Sequence, residues 1–101
     1  MRHSSTWKHA EREIARRLGM ERNGATGQAT PDAENNWLAV EVKHGKQVPK
    51  FPFSAMAQAQ RNAGDKLAVV VLHPEGAPYD ASLVCIRLAD FVAWFGEARD
   101  A

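Results

Sequence analysis

The sequence predicts an α/β protein in which helices flank a mixed β-sheet. Helix-like and strand-like segments alternate along the chain instead of forming separate groups, as is typical of this class. The N-terminal segment has helical periodicity, and residues 67–73 form an almost continuous apolar run rich in valine. The chain has 101 residues, of which 45% are hydrophobic and 25% charged, which indicates one globular domain spanning residues 1–101.

The first helix is predicted to follow Ser4-Ser5-Thr6, whose hydroxyl oxygens are typical N-cap groups, and to run to about Leu18. Gly19 suits the end of this helix because glycine readily adopts the backbone conformation found there. Residues 20–24 predict a short strand, and the small polar residues 24–30 predict a loop.

A β-hairpin is predicted for residues 32–43, with its turn at Asn35-Asn36. Asparagine tolerates the positive φ that a two-residue hairpin turn requires. The remaining elements are a basic, proline-containing connection at 44–53, a helix at 54–63 closed by Gly64, strands at 67–73 and 82–88, and a helix at 89–95 ended by Gly96. The predicted order of elements is therefore α-β-β-β-α-β-β-α.

Charge and cysteine content restrict the possible partners and compartments. The net charge is only +1, so a nucleic-acid partner would have to be bound by a local basic patch. Cys85 is the single cysteine, which excludes an internal disulfide and fits a reducing compartment. No apolar stretch approaches the roughly 20 residues of a membrane span, and the N-terminal segment lacks the apolar core of a secretory signal. We therefore expect a cytoplasmic protein with no membrane partner.

Three charged residues of the predicted hairpin share one face. Glu41 and Lys43 are two positions apart on a strand, so their side chains point the same way. With the turn at Asn35-Asn36, Asp32 lies opposite Ala39, and directly opposed residues share a face. Asp32, Glu41 and Lys43 are therefore expected on one side of the hairpin. The other side, available for a core, contains Leu38, Val40 and Val42.

Two carboxylates this close repel each other unless a cation neutralises them, and a hard divalent cation such as Mg²⁺ does so well. Lys43 beside such a site would orient or deprotonate a water, or stabilise charge on a phosphate. In the same register Glu34 lies opposite Trp37 and shares the face of Asp32, so Glu34 is an alternative ligand. The simpler interpretation is an exposed hairpin face with an ordinary Glu41–Lys43 ion pair.

The first helix places a carboxylate on its apolar side. At about 100° per residue, Trp7, Ile14 and Leu18 fall within about 20° of one line, and Glu11 lies about 40° from it. Glu13 lies on the solvated side. A carboxylate on an apolar stripe needs a cation or a hydrogen-bond donor. The edge of a metal site and a buried arginine would both meet that need.

Basic residues recur on another face of the same helix. Lys8, Arg12 and Arg16 follow one another at intervals of four residues, so they lie on one side of the helix. Such a row is usually a solvated face, and the alternative is contact with a phosphate backbone.

The hairpin motif resembles the PD-(D/E)XK nuclease superfamily. Pro31-Asp32 matches its PD element, and Glu41-Val42-Lys43 matches its (D/E)XK element on the next strand. The resemblance extends to the order of elements over about residues 7–73, and it implies a restriction-endonuclease-like α-β-β-β-α-β core. Residues 10–14 and the glycine-containing loop after Arg22 are similar to the start of archaeal-type Holliday junction resolvases, and small phage nucleases share this layout.

The resemblance also implies a role for each motif residue. Asp32 and Glu41, with the backbone carbonyl of Val42, would bind Mg²⁺, for which Mn²⁺ can substitute. Lys43 would be the catalytic lysine that assists the attack of water on a phosphodiester bond, and Glu11 an additional catalytic acid.

Some branches of the superfamily place a glutamine on the helix after the motif. Gln58 is the residue chosen for this role, and Gln60 is a rival because helical phase alone does not separate the two.

The function implied is that of a Mg²⁺-dependent DNA endonuclease, structure-specific in the manner of a Holliday junction resolvase. A site this small covers one strand, so cutting two strands favours a homodimer, with Trp94-Phe95 and residues 83–88 as candidate interface surfaces. The alternative function is a non-catalytic DNA-binding or assembly module that keeps the nuclease fold.

Overall fold

The computed structural model of the chain describes residues 2–24 and 29–96, with side chains from Thr6 onward. The described residues form two compact units. The first unit contains the residues up to Val48 together with Phe95 and Gly96, and the second contains Pro49–Trp94. Part of the predicted loop at 24–30 lies outside the described residues.

The first unit consists of one helix and a short hairpin. Its elements are helix α1 (Arg2–Arg17), strand β1 (Ala33–Glu34) and strand β2 (Ala39–Val40), and the two strands are antiparallel. An isolated antiparallel bridge joins Arg22 to Ala33 and extends the pairing on the other side of β1. The buried apolar side chains of this unit are Ala15, Leu18, Ala33 and Val42.

The second unit combines two helices with a second hairpin. Its elements are helix α2 (Phe51–Ala63), strand β3 (Val70–Leu72), a 3₁₀ turn (Tyr79–Ala81), strand β4 (Leu83–Cys85) and helix α3 (Leu88–Phe95). Strands β3 and β4 are antiparallel, and α2 packs against β3. Its buried apolar side chains are Met56 and Ala68.

The helices agree with the sequence except at their starts. After α1 comes Gly19 at φ 76°, and after α2 comes Gly64 at φ 64°, so both predicted glycine ends are confirmed. The predicted N-cap at Ser4-Ser5-Thr6 is wrong, because α1 already begins at Arg2. Helix α2 begins at Phe51 rather than Ser54, because proline is compatible with the first turn of a helix and does not prevent an early start.

The mixed α/β class is confirmed, and the described strands form two small antiparallel sheets where one mixed sheet was predicted. The strand expected at residues 20–24 is reduced to the bridge at Arg22. The expectation that residues 67–73 form a strand covered on both faces is wrong, because Val69 and Val71 are exposed. Within the described ranges, no helix is long and apolar enough to cross a membrane.

The first hairpin has a different turn from the predicted one. The Asn35 side-chain Oδ1 accepts the backbone N–H groups of Trp37 at 3.1 Å and Leu38 at 2.9 Å, and Asn35 N–H donates to the Leu38 carbonyl at 2.9 Å. The turn therefore lies at Asn36-Trp37, and the prediction of Asn35-Asn36 is wrong. No described non-glycine residue has a positive φ. The side-chain acceptor of Asn35 forms the turn without that conformation.

The changed turn alters the register but preserves the two faces. Glu34 pairs with Ala39, and Ala33 with Val40, so the predicted pairing of Glu34 with Trp37 is wrong by two positions. A shift of one residue would have exchanged the faces of the hairpin, whereas a shift of two retains them. Asp32 therefore still belongs to the face of Glu41, away from the buried Ala33 and Val42.

Replacement of Asn35 by alanine tests the turn. We expect Asn35→Ala to lower the free energy of unfolding by about 1–2 kcal/mol, because two backbone N–H groups lose their acceptor. Urea unfolding followed by tryptophan fluorescence measures this change. Asn36→Ala is the matched control, expected within about 0.5 kcal/mol of the parent. Equal effects of the two substitutions would contradict the assigned turn.

Candidate functional site

The candidate site is the polar face of the first hairpin, which carries Asp32, Glu41 and Lys43. The predicted strand reaches Lys43, whereas β2 ends at Val40. Exposure still alternates beyond the strand, because Val42 is buried while Glu41 and Lys43 are exposed. Asp32 is half-buried at the point where the chain bends into β1. The register that pairs Ala33 with Val40 places Asp32 opposite Glu41, in keeping with the predicted shared face.

Asp32 makes the closest contact within this face. Its Oδ2 accepts the backbone N–H of Val42 at 2.7 Å. In a continued ladder that N–H would donate to the carbonyl of Pro31, but the Pro31 carbonyl instead accepts the Asn23 side-chain amide at 2.9 Å. The carboxylate of Asp32 therefore replaces a ladder bond, and it lies directly against the backbone of Glu41-Val42-Lys43.

Glu41 and Lys43 form an ion pair in solvent. Lys43 Nζ lies 3.4 Å from Glu41 Oε2, and their side chains are 80% and 60% exposed. An ion pair this exposed contributes little to stability. Because the pair is so weakly held, both groups remain accessible to an external ligand.

Glu11 has an arginine partner. Its Oε1 accepts a hydrogen bond from Arg22 Nε at 2.6 Å, and the two side chains are only 7% and 18% exposed. Of the two partners that the sequence left open, the structure contains the buried arginine. The role of Glu11 as a catalytic acid stays a prediction, in which Arg22 would have to share the carboxylate.

Glu34 lies beside the site, and among the described residues it has only a long contact. It is exposed, and its Oε2 lies 3.4 Å from the side-chain amide nitrogen of Asn23. The same amide nitrogen makes the shorter bond to the Pro31 carbonyl. Glu34 is less constrained than Asp32, and its replacement of Asp32 as a ligand stays a prediction.

The two glutamines belong to the second unit and differ in their contacts. Gln60 Nε2 donates to Asp90 Oδ2 at 3.1 Å, and the same oxygen accepts Arg87 Nε at 3.2 Å. Gln58 is exposed on α2. The assignment of the helix glutamine to Gln58, with Gln60 as its rival, stays a prediction.

The donor set on the hairpin fits a hard cation. Asp32, Glu41 and the Val42 carbonyl offer only oxygen atoms, which Mg²⁺ accepts while keeping several waters. In the described part of the chain, no three His, Cys, Asp or Glu side chains are grouped to hold a metal ion together. A metal at this face would therefore depend on two carboxylates and backbone oxygen, with Glu11 held apart by Arg22.

Arg22 and Asn23 are the contributors to this region that the sequence did not single out. Each pairs with a residue about ten positions away in the chain, so no helical or strand period links them to their partners. The sequence indicated a partner such as Arg22 only indirectly, because the Glu11 carboxylate on an apolar stripe requires a cation or a hydrogen-bond donor. No pattern in the sequence indicated the contact of Asn23 with Pro31.

Comparison with protein-family models, with curated proteins and with solved structures found no match for this chain.

The Glu11–Arg22 pair can be tested by removing one partner. We expect Arg22→Met to lower the free energy of unfolding by about 3 kcal/mol, because the Glu11 carboxylate is left buried and unpaired. The double variant Glu11→Gln/Arg22→Met should recover part of this loss. Chemical denaturation measures both, with the exposed Arg12→Met as a control expected within about 0.5 kcal/mol of the parent. A loss of similar size in the control would refute the importance of the pair.

Proposed function

We propose that this chain is a Mg²⁺-dependent DNA endonuclease that hydrolyses phosphodiester bonds. In this proposal Asp32, Glu41 and the Val42 carbonyl hold the ion. The ion would lower the pKa of a water and so supply the nucleophile. The oxygen of such a water would lose a proton and bond to phosphorus as the bond to the leaving oxygen breaks, and the leaving oxygen would take up a proton.

The contact between Asp32 and Val42 carries the proposal. It joins the PD aspartate to the backbone of the (D/E)XK element at 2.7 Å, although the two residues are ten positions apart. A merely solvated hairpin face would not require an aspartate in place of a ladder bond. The contact supports an arrangement in which the carboxylate of Asp32 and the backbone of Val42 are available to one ligand.

Lys43 is suited to act on the substrate. Its Nζ is exposed and only weakly paired with Glu41. An ammonium in this position can stabilise the negative charge that develops on the phosphate or orient the attacking water. Positioned acid–base groups of this kind contribute roughly 10²–10⁴-fold to rate.

The order of elements also supports the proposal. Helix α1, the bridge at Arg22, β1, β2, α2 and β3 follow one another as in the α-β-β-β-α-β core of restriction-endonuclease-like nucleases. In this proposal the bridge at Arg22, which pairs with Ala33 of β1, would correspond to the first strand of that core. We propose this core as the finer description of the fold.

A second candidate is a non-catalytic DNA-binding or assembly module of the same fold. It is favoured by the charge pairing within the chain, since Glu11 is bound to Arg22 and Glu41 to Lys43. In this case the acids would be neutralised by arginine and lysine, and no metal would be needed.

A cleavage assay separates the two candidates. We expect the wild-type chain to cut branched, nicked or linear DNA in Mg²⁺ and to be inactive in chelator. Glu41→Gln and Lys43→Ala should each reduce the rate by about 10²-fold or more, because a ligand or the lysine is lost. Gel-based product quantification with matched DNA substrates measures the rates.

Lys46→Ala is the control, because Lys46 is an exposed lysine close to the motif but outside it. It should retain nearly full cleavage. Full cleavage activity of Lys43→Ala would contradict the assignment of the site. Metal-independent binding of DNA without any cutting would select the second candidate. Activity that is lost in Glu34→Gln but not in Asp32→Asn would transfer the ligand role to Glu34.

We further propose that the active form is a homodimer, since one site per chain covers one strand. The second unit exposes large apolar side chains near the predicted surfaces, with Leu83 at 66%, Val84 at 64% and Trp94 at 58% exposure. Contiguous exposed apolar residues are typical of interaction sites.

Sedimentation equilibrium tests the dimer. Val84→Lys should shift the chain toward monomer, because a lysine at the centre of an apolar interface is left without a partner. Phe51→Lys, at an exposed position outside the predicted surfaces, should leave the distribution unchanged. A wild-type chain that stays monomeric at high concentration would contradict the proposal.

A further inference from the structure

A cavity of about 370 Å³ lies beside α1. Its lining combines three arginines with one methionine and one glutamate, so the arginine stems as well as the guanidinium groups contribute to it. The residues that line it are Arg12, Arg16, Met20, Glu21 and Arg22. Three arginines against the single carboxylate of Glu21 favour an anionic ligand, and planar guanidinium groups bind phosphate oxygens in a bidentate manner.

Two of these arginines come from one face of the helix. Arg12 and Arg16 are four residues apart, and both are exposed. Lys8 is exposed one turn earlier on the same side. At a rise of about 1.5 Å per residue, the three cations follow one another at steps of about 6 Å along the axis. This spacing resembles that of successive phosphates on a nucleic-acid strand.

The third arginine is held in place from inside the unit. Arg22 donates its Nε to the buried Glu11 at 2.6 Å, and this bond leaves its terminal N–H groups for other acceptors. A guanidinium that is already oriented loses little conformational entropy when it binds a ligand. Glu11 therefore positions Arg22 for the cavity.

The surrounding charge is basic but partly compensated. Residues 8–22 contain five lysine or arginine residues and three glutamates, whereas the whole chain has a net charge of only +1. Arg16 Nη2 contacts Glu13 Oε1 at 2.6 Å, and Arg17 Nη1 contacts the same oxygen at 2.7 Å. These hydrogen bonds lower the pKa of Glu13 to about 2, so Glu13 is ionised at neutral pH and competes for Arg16.

We infer that the cavity binds a phosphate group of the DNA backbone, with Arg12, Arg16 and Arg22 as its donors and Lys8 on the neighbouring phosphate. The row of cations along α1 favours a polyanion over a single free phosphate. The choice of DNA as that polyanion rests on the proposed function. The cavity would bind a backbone phosphate of one DNA strand, while the hairpin face would hydrolyse a phosphodiester bond of the same DNA.

Fluorescence anisotropy with labelled duplex DNA tests the inference, with metal chelated so that no cutting occurs. Arg12→Gln and Arg16→Gln should each weaken binding about five-fold near 0.1 M salt, because one phosphate contact is lost. Each should also reduce the slope of log affinity against log salt by about 1. Arg61→Gln, an exposed arginine of α2, is the matched control and should bind as the wild type does.

Glu13→Gln gives a change in the opposite direction. It removes the competitor for Arg16, so DNA binding should become about threefold tighter. A merely structural role for the Glu13 pairs would give no gain in affinity. Tighter binding in Glu13→Gln together with weaker binding in Arg16→Gln is the expected pattern.

The outcomes separate this inference from the proposed function. DNA binding that depends on Arg12 and Arg16 without any cleavage supports the cavity and removes the endonuclease proposal. If the wild type cleaves DNA and the DNA affinity is unchanged in Arg12→Gln and Arg16→Gln, the endonuclease proposal is supported and the inference about the cavity is overturned. Absence of DNA binding by the wild type overturns the inference, as does competition by polyglutamate or inorganic phosphate that is as strong as competition by unlabelled DNA.

Discussion

The buried ion pair between Glu11 and Arg22 is the interaction on which the first unit depends. It connects α1 to the segment that follows it, and Arg22 is also bridged to Ala33 of the hairpin. The neighbouring Asn23 N–H donates to the Asp32 carbonyl at 2.8 Å, so the same segment supports the start of the motif. Removal of one charge would leave the other buried and unpaired, which is why the pair constrains helix, bridge and hairpin together.

The first unit carries two polar regions besides this pair. On the hairpin, Asp32 lies against the Val42 backbone, and Glu41 and Lys43 extend into solvent. Beside α1, Arg22 joins Arg12 around a cavity. The first region offers oxygen ligands and an ammonium, and the second offers guanidinium groups. Under the proposed function, the first would hold the metal ion and the second a phosphate of the substrate.

The candidate site shows what a local pattern can and cannot predict. The alternation of side chains along a strand predicted that Asp32 shares a face with Glu41 and Lys43. The predicted register was wrong by two positions, but the predicted face did not change because side chains repeat every two residues along a strand. The turn was misplaced because asparagine can act in two ways. Positive φ at Asn35 was expected, whereas its side chain accepts two backbone N–H groups instead.

The sequence by itself determined the α/β class, the glycine ends of α1 and α2, and the faces of the hairpin. These features depend on neighbouring residues and on the repeat of a helix or strand, which the chain carries locally. Only the tertiary structure decided the partner of Glu11, the engagement of Gln60 by Asp90 and the meeting of Arg12 with Arg22. These depend on which distant segments approach one another in space, and no local period encodes that approach.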